Sequence, residues 1–289
     1  MPESEGMPDL APSDAQATSE SQATEPSHLP ARTDDLREQL PGLEPDRRLT
    51  DWGRSERIEG ILDRLVLHPL YHYWLRAEVE GIENLPETGG ALLVANHAGT
   101  LPLDAVMIAK AVREDHPRAR AVHLSAAPRL TGIPGVGMAL TKVGGIAAHP
   151  ANLHRLLYDE GELVLAFPEG RAGPAKPLGR RYLLRRFDSA LPAVAARAGV
   201  PIVPVAVLGA EEATPVLGRV RGRLLGRWPG VPLALPLPAK FRLRFLEPVQ
   251  PDPGELDPGS LAALASDLRA LIQENLFEML GARRNVWLG

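Results

Sequence analysis

The chain has 289 residues, a formal net charge of −4 and no cysteine. The lack of cysteine excludes a disulfide framework, a thiolate nucleophile and a cysteine-based metal site. An apolar content of 44% without a short-period repeat excludes a collagen-like chain and one that is disordered throughout. The longest uncharged stretch, 88–103, is too short and too polar for a transmembrane helix, and the first residues do not resemble a secretory signal. We therefore expect a cytoplasmic protein without a membrane span.

The first 46 residues differ in composition from the rest. They hold eleven acidic residues, two basic residues and seven prolines, but no aromatic residue, valine or isoleucine. Such a segment buries too little apolar surface to offset the entropy lost on ordering. We predict a disordered acidic tail over residues 1–50 and a folded domain over 51–289. Residues 47–289 are mildly basic, with 30 Lys and Arg against 25 Asp and Glu.

Strand and helix patterns alternate after residue 50. Apolar residues at helical spacing predict helices over 57–75, 102–112, 152–158, 184–197 and 261–280. Short apolar or alternating runs predict strands over 91–95, 121–124, 163–167, 201–208 and 240–246. This order predicts an α/β fold with a mixed, largely parallel central sheet flanked by helices. Ligands in such folds bind at the carboxyl ends of the strands.

The first polar cluster follows the strand over 91–95. His97 leaves the strand, and Asp104 falls in the first turn of the next predicted helix. A carboxylate that accepts the proton on the imidazole Nδ1 leaves Nε2 as a general base. The backbone N–H groups near Gly99 and Thr100 are candidate oxyanion donors. The alternative is that His97 only ends the strand and Asp104 only complements the helix dipole.

The second cluster follows the strand over 163–167. Glu169 and Gly170 stand at the strand tip after a proline, and a basic run follows: Arg171, Lys176, Arg180, Arg181, Arg185 and Arg186. These cations suit a phosphate, an anionic lipid headgroup or the phosphates of coenzyme A. The alternative is a solvated loop and helix face.

Four blocks in order resemble the glycerolipid acyltransferase superfamily, the lysophosphatidic acid acyltransferase-like enzymes. They are Asn96-His97 with a downstream Asp, Gly144-Gly145-Ile146, Phe167-Pro168-Glu169-Gly170 and Val200-Pro201-Ile202-Val203-Pro204. The resemblance covers about residues 80–215. Parts of the chain, including the ending RRNVWLG, also resemble a bacterial lysophospholipid acyltransferase-like branch.

The resemblance implies a role for each block. His97 is the general base that removes a proton from an acceptor hydroxyl, and Asp104 orients it. The block with Glu169 and Gly170 helps to bind the acceptor. The block from Pro201 to Pro204 binds the acyl donor or has a structural role.

Two positions depart from the family pattern. Asp104 lies seven residues after His97, where the usual spacing is five. The second block usually ends in an Arg that binds the acceptor phosphate, and His149 stands there instead. Arg171 or Arg180 is an alternative phosphate ligand, and a neutral or zwitterionic acceptor remains equally open.

The resemblance implies a lipid acceptor and an acyl thioester donor, either acyl-CoA or acyl carrier protein, with no further cofactor, no metal and no nucleic acid. Contact with the cytoplasmic face of a membrane is expected through 65–75 or 228–239, which are uncharged, aromatic-containing or proline-rich, and adjoin basic residues. The alternative is that the leucines of 65–75 pack in the core. His68 and His72 have a zinc-like spacing, but Pro69 and the lack of a third ligand nearby in the sequence favour packing.

Two other functions use the same residues. A thioesterase or lipid hydrolase would direct His97 and Asp104 at water, and would release free acid without an alcohol acceptor. A noncatalytic lipid-binding protein of the same fold would bind lipid whether or not His97 is present.

Overall fold

A seven-stranded sheet forms the centre of the computed structural model, which describes residues 49–98, 102–170, 173, 176, 180–215, 220–222, 226–228 and 236–287. All of these residues belong to one unit, Arg47–Gly289. The acidic tail expected over 1–50 falls outside them, apart from its last two residues, and stays a prediction.

Strands and helices alternate as expected for an α/β fold. The strands are β1 (Glu78–Glu80), β2 (Ala91–Ala95), β3 (Val122–Ala126), β4 (Gly145–Ala147), β5 (Leu163–Ala166), β6 (Ile202–Leu208), β7 (Val220–Gly222), β8 (Gly226–Trp228) and β9 (Arg242–Phe245). The α-helices are α1 (Glu56–Leu62), α2 (Leu103–Asp115), α3 (Pro128–Thr131), α4 (Val136–Lys142), α5 (Pro150–His154), α6 (Ala190–Ala198), α7 (Ala210–Ala213) and α8 (Pro258–Ala282). Wider π-type turns continue α1 to Trp74 and α5 to Asp159.

The sheet is mixed but largely parallel, as predicted. Its strand order is β1-β9-β6-β2-β5-β3-β4, and β7 pairs with β8 in a separate two-stranded sheet. Every neighbouring pair in the large sheet is parallel except β6 and β9. The carboxyl ends of β6, β2, β5, β3 and β4 therefore meet at one edge of the sheet.

Both faces of the sheet are covered by helices. Leu93 and Ala95 of β2 pack in one core cluster with Met107 and Ile108 of α2, whereas the alternate residues of β2 face α6 and α8. This division follows from the period of two in a strand, which sends successive side chains to opposite faces. A strand buried on both sides needs a continuous apolar sequence, which is why the run ALLVA predicted β2 correctly.

The helix expected over 184–197 starts later than the pattern indicated, at Ala190. The amide of Leu184 donates to the side chain of Gln273 at 2.8 Å, and the amide of Arg185 donates to Glu169 at 2.7 Å. Because these amides bond to partners elsewhere in the fold, residues 183–188 form no helix. The expected start of this helix was wrong.

Burial of α8 against the sheet predicts a large stability loss when its central residue is truncated. Ile272 is fully buried, and replacement by alanine should lower the free energy of unfolding by about 2–5 kcal/mol, from lost transfer energy and the cavity left behind. Phe277 on the same helix is 51% exposed, so Phe277→Ala should change the free energy of unfolding by less than about 0.5 kcal/mol. Urea unfolding followed by circular dichroism measures both. Equal effects of the two substitutions would contradict this packing.

Candidate active site

The carboxyl ends of three adjacent strands, β6, β2 and β5, carry the polar side chains of the candidate site. His97 comes two residues after the end of β2, and Glu169 and Glu211 each come three residues after the ends of β5 and β6. Because β2 is parallel to both neighbours, these positions share one edge of the sheet. This is the edge at which α/β folds bind ligands.

His97 pairs with Asp104, as the sequence predicted. His97 continues the alternation of Leu93 and Ala95, whose face of the sheet packs against α2. Asp104 lies in the first turn of α2, and its Oδ2 is 2.6 Å from Nδ1 of His97. The spacing of seven residues is therefore compatible with a direct contact.

The Asp104 carboxylate is held in place by its own surroundings. It is fully buried, and it accepts hydrogen bonds from the amides of Ala98 at 3.0 Å and Ala105 at 2.8 Å. The amide of Ala98 is thereby occupied, so it is not free to bind an oxyanion. A carboxylate held by several donors can rotate little, and it fixes the imidazole ring that it contacts.

The electrostatics of the pair favour a protonated Nδ1. Burial alone would lower the pKa of the His97 imidazole, but the charge of Asp104 and its hydrogen bond outweigh burial, and the pKa is raised above its ordinary value. In the neutral ring the carboxylate accepts the Nδ1 proton, so Nε2 carries the lone pair. The His97 side chain is 19% exposed. This arrangement suits a general base that acts on a hydroxyl group or on water.

Two neighbours that belong to the blocks quoted above, but to which the sequence assigned no role, position the histidine. The ring of Phe167 stacks on that of His97, with centroids 4.4 Å apart and planes at 28°. The side chain of Asn96 is buried and exchanges two hydrogen bonds with the backbone of Val207 in β6, at 2.8 and 2.9 Å. Asn96 thus extends the pairing of β2 with β6 up to the residue before the base.

Glu169 is bonded within the protein rather than open to a ligand. Its Oε1 accepts from the amide of His97 at 3.2 Å, and its Oε2 accepts from the amide of Arg185 at 2.7 Å. The ammonium group of Lys176 lies 2.9 Å from Oε1 and 2.8 Å from Oε2, and both side chains are buried. Glu169 therefore fixes the backbone at the base, and the expected contact with an acceptor stays a prediction.

Glu211 adds a second carboxylate to this buried group. It lies 3.9 Å from Lys176 and accepts the amide of Tyr182 at 2.7 Å. Burial raises the pKa of Glu211 to about 7, although Lys176 opposes that shift. One ammonium group thus faces two carboxylates, and the second of them titrates near neutral pH.

Gly173 lies so close to His97 that a side chain would not fit. A Cβ atom at this position would stand 2.8 Å from the His97 carbonyl oxygen and 3.0 Å from the His97 Cβ. The backbone at Gly173 therefore lies against His97. In the sequence Gly173 was one glycine in a basic loop, and Lys176 was one cation among six, so neither pattern indicated these contacts.

Other predicted site residues lie elsewhere or outside the described residues. His149 begins α5 at the end of β4, three strand spacings or about 14 Å from β2, and its Nδ1 accepts the amide of Ala151. Pro201 and Pro204 bond through their carbonyls to the amides of Leu92 and Leu246. Gly170 turns the chain with φ of 54°. The part of the chain that the structure describes does not include Gly99, Thr100 or Arg171.

Comparisons with known proteins found a family model, related sequences and a solved structure of similar fold. A family model described as Acyltransferase matches residues 76–208. An uncharacterised protein of Mycobacterium leprae is 37% identical over 281 residues, which cover 91% of this chain and 75% of that protein. A second uncharacterised protein, from Mycobacterium tuberculosis, is 37% identical over 271 residues, which cover 88% of this chain and 75% of that protein. The fold is similar to that of the 1-acyl-sn-glycerophosphate (LPA) acyltransferase PlsC from Thermotoga maritima, with a TM-score of 0.55 and 23% sequence identity. The match covers 84% of this chain and 86% of the PlsC chain.

The charge of Asp104 should be visible in the titration of His97. In the wild type the imidazole should titrate above its ordinary pKa of about 6.5. In Asp104→Asn, which keeps the shape but removes the charge, burial should lower the titration midpoint below that value. Nitrogen-15 NMR of the histidines measures both, with the His97 signals assigned by their loss in His97→Ala. An identical midpoint in the two proteins would contradict the pairing.

Proposed function

We propose that this chain, which belongs to the glycerolipid acyltransferase superfamily, transfers a fatty acyl group from an acyl thioester to a hydroxyl of a lysophospholipid or glycerolipid. The observation that carries the proposal is the contact of 2.6 Å between His97 and Asp104 at the carboxyl end of β2. It supports His97 as the general base of the proposed reaction.

The proposed reaction needs no covalent enzyme intermediate. Nε2 of His97 removes the proton of the acceptor hydroxyl while the oxygen attacks the thioester carbonyl carbon. The carbonyl oxygen becomes an oxyanion, for which Gly99 and Thr100 stay the predicted donors. The intermediate then collapses to the ester and expels the thiolate, which takes the proton back from the imidazolium. A positioned base of this kind contributes about 10²–10⁴-fold to the rate.

Exposed cations beside the site support a phosphorylated substrate. Arg180, Arg181 and Arg186 are exposed, and the segment that carries them is attached to the site through the amide of Arg185 and Glu169. Guanidinium groups bind phosphate oxygens well. They suit the phosphate of an acceptor lipid, to which His149 and Arg171 stay predicted contributors, or the phosphates of coenzyme A. Acyl carrier protein remains the alternative donor.

A product assay separates acyl transfer from its alternatives. The wild type, incubated with a labelled acyl thioester and a panel of lysolipids, should form diacylated lipid, and His97→Ala should reduce the rate about 10²–10⁴-fold, because the base is lost. His154→Ala, a histidine substitution on α5, should retain the wild-type rate. Free fatty acid formed equally without acceptor would identify a thioesterase. Lipid binding without turnover, or full activity in His97→Ala, would remove the proposed mechanism.

We further propose that the protein contacts a membrane surface through its first helical segment, residues 56–74. Leu65 is 73% exposed and Tyr73 is 72% exposed, whereas Tyr71 and Leu75 are buried in the core. The exposed side chains of 65–75 support a membrane contact, whereas the buried ones fit the alternative of packing in the core. Trp74 donates to the carbonyl of Pro236 at 2.7 Å, which joins the described end of 228–239 to the same surface. Residues 229–235 lie outside the described residues. Among the helices that the structure describes, none is long and apolar enough to cross a bilayer.

Removal of the exposed apolar side chains should weaken membrane contact. The wild type should float with vesicles that contain anionic lipid, and the double variant Leu65→Ser/Tyr73→Ser should float much less, because it buries less apolar surface in the interface. Phe277→Ser, which changes an exposed aromatic residue on α8, should float like the wild type. A wild type that stays in solution, or equal flotation of all three proteins, would count against this surface.

A further inference from the structure

Three side chains with metal-binding atoms meet away from the candidate active site. His68 and His72, in the first helical segment, lie beside Glu114 at the end of α2, with one ligand atom of each within 4.8 Å of the others. Nε2 of His72 is 2.6 Å from Oε1 of Glu114, and the rings of His68 and His72 have centroids 4.4 Å apart. The sequence lacked a third ligand near the histidines, and the fold supplies one from 42 residues further along.

The backbone brings the three groups together by simple geometry. Residues four apart on a helix lie on one face, so His68 and His72 point the same way despite Pro69 between them. The helical segment packs across α2, where Tyr71 donates from its hydroxyl to Asp115 at 2.8 Å. Glu114 therefore reaches the pair of histidines from the neighbouring helix. Two of the ligands come from one segment and the third from another.

From this geometry we propose that His68, His72 and Glu114 bind a divalent transition-metal ion of the zinc type. Two imidazoles and one carboxylate form a donor set that zinc uses, with the remaining position left for water. A tetrahedral zinc ion with bonds of about 2.0 Å needs ligand atoms about 3.3 Å apart. Nε2 of His72 and Oε1 of Glu114 are 2.6 Å apart and all three ligand atoms lie within 4.8 Å of one another, so small side-chain rotations would bring them to this spacing.

The surroundings of the cluster favour a cation. Lys110 contacts the other oxygen of Glu114, Oε2, at 2.8 Å. The charge of Lys110 is matched by Asp63, also at 2.8 Å. Asp115 adds a further negative charge close by. A ligating carboxylate whose second oxygen is hydrogen-bonded is held in orientation, which strengthens metal binding.

A bound ion would join the first helical segment to α2. Because an ion that binds only the folded state shifts the folding equilibrium, zinc should raise the thermal midpoint of unfolding in a concentration-dependent way. This effect does not depend on acyl transfer, so the site can be tested by binding and stability alone.

Zinc titration of ligand variants tests the site. Isothermal calorimetry on the full chain without a polyhistidine tag should show one Zn²⁺ bound per chain. His72→Ala and Glu114→Gln should each weaken this binding at least about tenfold, as loss of a ligand predicts. His154→Ala and Glu87→Gln, which lie outside the cluster, are the matched controls and should bind as the wild type does. Zinc should raise the unfolding midpoint of the wild type and both controls, but not of the ligand variants.

X-ray absorption on the zinc-loaded wild type keeps the test independent of how the variants fold. The spectrum should show two imidazole ligands and a low coordination number with oxygen. Absence of zinc uptake by the wild type, a spectrum without imidazole, or equal affinity in ligand variants and controls would each overturn the proposal.

Discussion

The hydrogen bond between Asp104 and His97 is the contact on which the proposed chemistry depends. A fully buried carboxylate loses several kcal/mol of hydration unless other groups compensate. Here the Nδ1–H of His97 and the amides of Ala98 and Ala105 bond to it, and its place in the first turn of α2 adds the favourable end of the helix dipole. The same contacts that stabilise the charge therefore set the tautomer of the base before any substrate arrives.

A second buried charge cluster holds the backbone around this pair. Glu169 joins the amide of His97 to the amide of Arg185, and Lys176 neutralises it from the loop between them. Removing one partner from such a group leaves an uncompensated buried charge, which is strongly destabilising. Glu169 thus ties together the ends of β2 and β5 and the segment before α6. Glu169 lies at a strand tip, where ligand-binding residues are often found, but its carboxylate oxygens accept hydrogen bonds from the protein's own backbone amides.

The sequence predicted the structural features that depend on the local pattern of apolar and polar residues. The buried run of β2, the alternation of β9 and the order of helices and strands fixed the fold class, and the spacing of His97 and Asp104 predicted their contact. It did not predict contacts that only the folded chain creates. The start of α6 depends on Gln273 and Glu169, and the approach of Gly173 to His97 depends on how one loop returns.

The two sites that contain histidine differ in how far along the sequence their partner residues lie. The partner of His97 is seven residues away, so the local sequence pattern could predict it. The third proposed ligand beside His68 and His72 lies on a different helix. Sequence spacing therefore predicted the contact of His97 with Asp104, whereas for the proposed metal site it showed only the two histidines. The difference lies in the topology, because no pattern within the first helical segment indicates which side chain of α2 will face it.

Helix α2 connects the pair of His97 and Asp104 to the proposed membrane and metal surfaces. Asp104 lies at its start and Glu114 in its last turn, about 15 Å apart at the rise of an α-helix. Between them Lys110 contacts Asp63, and Arg113 contacts Glu59 at 2.6 Å, so the first helical segment is attached to α2 by ion pairs. The side chains proposed to contact lipid and the carboxylate that orients His97 are thus attached to one helix.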